Sequence, residues 1–91
     1  MIEMADVLVS FKLLPSDSDV DTSVMESEVK EKLNGVCKIN NIEEKDIGFG
    51  LKYIHLEVIV EDKEGEVDRI EKVLSMVKGV GEINTENVSL I

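Results

Sequence analysis

Residues Asn34-Gly35-Val36-Cys37-Lys38-Ile39-Asn40 and Lys78-Gly79-Val80-Gly81-Glu82-Ile83-Asn84 align at one fixed offset, and both keep a Gly-Val pair and a later Ile-Asn pair. The register runs backwards as well. Val29 falls on Val73 and Leu33 on Val77, so each copy carries an apolar helical stripe into a Gly-Val stop and then a short strand. An amphipathic helix cannot bury its stripe alone. Each unit is preceded by an alternating run, Val7 to Leu14 and then Lys52 to Glu61, which predicts a duplicated βαβ. The expected fold is α+β, a ferredoxin-like βαββαβ sandwich with a four-stranded antiparallel sheet and both helices on one face.

Ninety-one residues make one domain, which at this length buries roughly 60–65% of its unfolded surface. We place it at residues 5–91, with residues 1–4 as a short N-terminal extension. The first strand spans Ala5 to Leu14, with Val7, Val9, Phe11 and Leu13 on its uniformly apolar face, and Pro15 closes it. Ser16 to Asp21 is a polar loop in which Asp21 or Thr22 caps the next helix. Helix one runs to Leu33 on a stripe of Val24, Met25, Val29 and Leu33, and Asn34-Gly35 stops it. The second strand, Val36 to Glu43, is interrupted by Asn40-Asn41 and reads as an edge strand. Glu44-Lys45-Asp46 then leads into Ile47-Gly48-Phe49-Gly50. The third strand alternates Ile54, Leu56, Val58 and Val60 against Tyr53, His55, Glu57 and Ile59, which suits the sheet interior. After an Asp62 to Gly65 turn, helix two covers Glu66 to Lys78 on Val67, Ile70, Val73, Leu74 and Val77, and the last strand runs from Gly81 to Ile91.

Ten Lys and Arg face twenty Asp and Glu, a net charge of −10. Free nucleic acid is a poor partner for such a field, because binding it depends on cations that displace counterions from phosphates. The acid either solubilises a small protein or favours a basic protein partner. Cys37 is the single cysteine, so no internal disulfide or CxxC pair exists; it reads as a small buried hydrophobe in a cytoplasmic chain. No apolar run approaches the ~18 residues needed to span a bilayer, and no membrane association is expected.

The catalytic inventory is thin. His55 is the only histidine and sits mid-strand beside Tyr53 and Glu57 on the polar face; acid–base work needs a second group within hydrogen-bond reach, so a structural or solvated role is expected. Gly48-Phe49-Gly50 is no phosphate loop, since a strand and not a helix follows it. Asp17, Asp19 and Asp21 lack the glycine and terminal glutamate of a calcium loop. No metal and no cofactor are expected. An RNA-binding sheet would show aromatics ringed by basic groups, whereas this face carries one tyrosine among acids. Phe49, between two glycines selected for backbone freedom, is either an exposed anchor or a covered loop residue.

Gly48-Phe49-Gly50-Leu51-Lys52, followed by an apolar strand ending Val60-Glu61-Asp62, resembles the GFGIK or GYGIK segment and the VVED strand end in the nucleotide-exchange domain of the elongation factor 1-beta family. Phe11-Lys12, Pro15, the acidic loop and Asp21 are similar to the family's first strand and its approach to helix one. The resemblance runs from Ala5 to Ile91, and the length is similar to the short archaeal form. It implies a translation elongation factor, not an enzyme of covalent chemistry, that promotes GDP release and GTP loading on the elongation factor 1-alpha GTPase by stabilising its nucleotide-free form. Carried over by position, it implies a partner surface of Gly48, Phe49, Gly50 and Lys52 together with the tail Ser89-Leu90-Ile91. One place departs from the pattern. Eukaryotic members have a next-to-last lysine proposed to intrude at the magnesium site, and here that residue is Leu90, with no basic residue after Lys78.

The competing reading is an ACT-like small-molecule-binding regulatory domain, which shares the βαββαβ layout. Such a domain favours a glycine-containing loop between strand one and helix one, and Pro15 to Thr22 contains no glycine. A small enzyme on the same scaffold is disfavoured by the isolation of His55.

Overall fold

A computed structural model describes residues 6–48, 50–61 and 65–90. The elements follow the order β1 (Asp6–Pro15), α1 (Thr22–Leu33), β2 (Lys38–Gly48), β3 (Leu51–Glu61), α2 (Glu66–Ser75) and β4 (Val80–Leu90). The strands form one sheet in the order β2-β3-β1-β4, and every neighbouring pair is antiparallel. This is the ferredoxin-like βαββαβ arrangement that the repeat predicts. β2 is an edge strand and β3 lies inside, as their patterns require.

The alternation in β1 and β3 decides the layering. Val7, Val9, Phe11 and Leu13 together with Ile54, Leu56, Val58 and Val60 are buried in one cluster with Met25, Val29 and Leu33 of α1 and Ile70 and Leu74 of α2. All of these strand residues lie on one face, so both helices cover that face and leave the other to Lys12, Tyr53, His55 and Glu57.

The repeat is visible in space. Gly35 and Gly79 both take left-handed backbone angles, φ 82° and 95°, and each leads out of a helix into an edge strand. The helix of one copy also holds the exit turn of the other: Arg69 Nη2 on α2 donates to the Val36 carbonyl at 2.7 Å, and Glu28 Oε2 on α1 accepts from the Lys78 amide at 3.1 Å. Asp21 caps α1 by accepting from the Ser23 amide at 2.9 Å.

Four expectations are corrected. Val24 is 55% exposed, because the buried set Thr22, Met25, Val29 and Leu33 defines a stripe one residue round from it. In α2 burial falls on Ile70 and Leu74, which leaves Val73 only partly buried. α2 stops at Ser75 and not at Lys78, since the Met76 and Val77 amides bond to Val73 and Leu74 in tighter i→i+3 turns. β2 starts later and runs longer than expected, through Gly48. An irregularity between Ile39 and Asn41 absorbs the extra Asn40, so Ile39 and Ile42, three apart, both pack against the core.

The two repeat glycines differ in surroundings. A Cβ on Gly79 would lie 2.8 Å from Val20 Cγ1, whereas one on Gly35 would meet nothing within 4 Å. The Val20 side chain is β-branched and stiff, so it cannot swing clear cheaply. Gly35→Ala should therefore cost about 1 kcal/mol from the left-handed angle alone, and Gly79→Ala about 2–3 kcal/mol. Urea unfolding of the two variants checks the order; equal costs would show that Val20 moves aside.

Candidate functional site

β2 and β3 form a hairpin in which Gly48 pairs with Leu51 and Asp46 with Lys52. Gly48 and Gly50 both have positive φ, 108° and 76°, which is why glycine serves there. Phe49 lies outside the described residues, as does Ile91. Lys52 is half-exposed. Its Nζ stands 3.7 Å from Glu44 Oε2, and the other oxygen of Glu44 accepts from Ser23 Oγ at 3.0 Å. A groove of about 500 Å³ opens beside the hairpin between Leu14 and Pro15 of β1, Ile47 and Leu51 of the hairpin, and Gly81 of β4. Ile47 and Leu51 are 46% and 40% exposed there.

Ser89 and Leu90 are elsewhere. They pair with Leu8 and Val7 at the start of β1, whereas Ile54 pairs with Leu13 near its end and Lys52 lies two residues beyond Ile54. About eight residues of strand, roughly 25 Å, therefore separate the hairpin from the tail. The structure does not gather the described residues of the implied partner surface into one patch; Gly48, Gly50 and Lys52 lie at one end of the sheet, and Ser89 and Leu90 at the other. Leu90 is 70% exposed, and Val88 is exposed next to it.

The polar face holds the rest of the chemistry-bearing residues. Lys12 Nζ lies 4.7 Å from the centroid of the Tyr53 ring. His55 stands between two acids, with Nε2 3.7 Å from Glu57 Oε1 and Nδ1 3.7 Å from Glu86 Oε1. Among the described residues no cluster of three or more His, Cys, Asp or Glu side chains is arranged to hold a metal ion, and no described helix is long and apolar enough to cross a membrane. In the Ser16 to Asp21 loop, Asp17 Oδ1 accepts from the Asp19 amide at 2.7 Å, which makes an Asx turn of the acids.

Residue-by-residue reading missed Glu44, Ser23 and the groove. Glu44 and Ser23 are far apart in sequence, and only the packing of α1 on the sheet joins them. A signal did exist for Glu44 and Lys52: a Gly-x-Gly segment read as a tight hairpin turn pairs the flanking strands and brings these two residues close across the ladder.

The family described as EF-1 guanine nucleotide exchange domain matches residues 8–91. The chain is 60% identical over 88 residues to an elongation factor 1-beta of Thermoplasma acidophilum, an alignment that covers 97% of this chain and 100% of that one. It is 33% identical over 85 residues to an elongation factor 1-beta of Methanothermobacter thermautotrophicus, across 93% and 96% of the two chains. Among solved structures it is similar to the ACT domain from GTP pyrophosphokinase of Chlorobium tepidum, with a TM-score of 0.64, 16% identity, and coverage of 89% of this chain and 99% of that one. At that identity the likeness shows the fold alone.

Cys37 supplies a test of the half-buried region beside Arg69. Burial pushes its thiol above the ordinary value, with the Arg69 charge opposing and Glu66 reinforcing the shift. A raised thiol pKa disfavours thiolate in the fold, so its contribution to stability is present below the ordinary thiol pKa and is lost as pH rises through the folded value. The thiol should react with an aromatic disulfide reagent more slowly at about pH 8 in the native protein than in urea, because less of it is thiolate in the fold. Equal rates would place the Cys37 sulfur in free contact with water.

Proposed function

Because the chain belongs to the EF-1 guanine nucleotide exchange domain family, we propose that it grips its GTPase with both ends of the sheet. The chain promotes guanine-nucleotide exchange on elongation factor 1-alpha. That activity needs no covalent step: a factor that binds the nucleotide-free GTPase more tightly than the loaded one must, by reciprocity, weaken nucleotide binding by the same factor. Every tenfold of that preference corresponds to about 1.4 kcal/mol. GTP then fills the vacated site by mass action.

The gripping residues in this reading are Gly48, Phe49, Gly50 and Lys52 at the hairpin end and Ser89, Leu90 and Ile91 at the tail end. The observation that carries it is the separation of roughly 25 Å along strands whose register is held by a buried core. A stiff body touching the GTPase at two distant points favours one spacing between those points. If that spacing belongs to the nucleotide-free form, contact at both ends is the differential affinity that exchange requires. Leu90 carries no charge, so the tail acts through apolar contact and not as a cation at the magnesium site. The net charge of −10 adds attraction toward a basic surface and speeds encounter at low salt.

Catalytic amounts of the chain should raise the rate at which labelled GDP leaves the cognate GTPase; an unchanged off-rate would sink the assignment. Phe49→Ala should weaken the complex by about 2 kcal/mol or more, as buried aromatic anchors do. Leu90→Ala should have a smaller effect on exchange and change folding stability by less than about 0.5 kcal/mol, because the side chain is 70% exposed. Thermal melts beside the GDP-release assay separate the two effects. A Phe49→Ala protein that exchanges normally would remove the hairpin from the surface.

A further inference from the structure

Glu44 on β2 stands across the ladder from Ile54, a core residue, so its side chain is on the helical side of the sheet. Both of its oxygens are engaged. Oε1 accepts from Ser23 Oγ at 3.0 Å and Oε2 lies 3.7 Å from Lys52 Nζ. Ser23 belongs to the first turn of α1, which contains no acidic residue, whereas the first turn of α2 has Glu66 and Asp68. Glu44 thus brings from the sheet a second carboxylate to the amide end of α1, beside the Asp21 cap. The carboxylate is anchored from behind by the helix and presents its second oxygen to the lysine.

Lys52 in turn lines the groove beside the hairpin. An ion pair with a half-exposed lysine contributes little to folding stability. Its consequence is positional, since a long, flexible ammonium side chain loses rotamer freedom when it meets a partner and loses less if already held.

We infer that Glu44 is a positioning residue: through the chain Ser23–Glu44–Lys52 it holds the ammonium at the mouth of the groove, ready for a carboxylate on the GTPase surface. This rests on the reading that Lys52 belongs to the partner surface. Glu44 itself touches no partner in this arrangement. Its effect passes through Lys52, which is what a double-mutant cycle detects.

The test uses the full chain and nucleotide-free cognate GTPase, with affinities for the wild type, Glu44→Gln, Lys52→Met and the double variant. The expected result is a loss of about tenfold for Lys52→Met, about threefold for Glu44→Gln, and no further loss in the double variant beyond Lys52→Met alone. Glu44→Gln keeps an oxygen for Ser23, so its melting temperature should stay near that of the wild type. Carbon-13 relaxation of the Lys52 Cε group in the free protein gives a readout that a merely structural role would not move: Glu44→Gln should raise its mobility to that of exposed lysines. Wild-type affinity or tighter binding for Glu44→Gln, unchanged Lys52 mobility, or losses that multiply in the double variant would each overturn the inference. A Lys52→Met protein that binds like the wild type would overturn the assignment of Lys52 to the surface and this inference with it. Weak binding by Lys52→Met beside normal binding by Glu44→Gln would overturn the positioning role alone.

Discussion

Phe11 and Leu13 of β1 lie directly opposite Leu56 and Ile54 of β3, and all four are fully removed from water. This antiparallel pair at the centre of the sheet sets the rest, because β1 is hydrogen-bonded to β3 on one side and to β4 on the other. Each such side chain contributes about 1.5–3 kcal/mol on burial, and a slip of one residue would turn the whole set out to solvent. The register is therefore held strongly in the middle and inherited at the margins. Val7 is matched with Leu90 at one end, and β3 enters from Gly48 and Leu51 at the other. The spacing between the hairpin and the tail follows from core packing, not from any contact between the two.

Duplication supplies the second layer of restraint. Each helix also helps to hold the exit turn of the other; Glu28 of α1 binds the turn after α2, and Arg69 of α2 binds the turn after α1. These bonds couple the two halves into one unit. The edges are managed differently: β2 carries Glu43, Lys45 and Asp46, β4 carries Glu82 and Glu86, and both strands have an irregularity in their pairing. Charge and bulges of this kind discourage further strand addition, and Leu51 and Leu90 meet solvent at opposite ends of the sheet. The same layout in an ACT domain underlines that the scaffold does not choose the job.

The sequence read alone carried the architecture because its strongest signals are periodic and redundant. The fixed offset between the Gly-Val segments, the alternation in Val7 to Leu13 and in Ile54 to Val60, and the Asp21 cap each arise within a few residues, and all point to the same fold. Errors fell where periodicity was broken or shared. Asn40-Asn41 looked like the decay of a strand and proved to be a bulge within one. Val24 and Met25 both satisfied a helical spacing, and only Met25 is buried, since a residue's depth depends on the angle at which a helix meets its sheet.

By itself the sequence determined the βαββαβ order, the apolar faces of the two central strands and the family, because these depend on local spacing and on motifs that keep their order along the chain. Only the tertiary structure decided that hairpin and tail lie at opposite ends of the sheet and that Glu44 joins Ser23 to Lys52. Both are consequences of strand register and of how α1 packs on β2 and β3. Burial sets that register by the sum over many side chains, so no single residue or spacing in the sequence announces it.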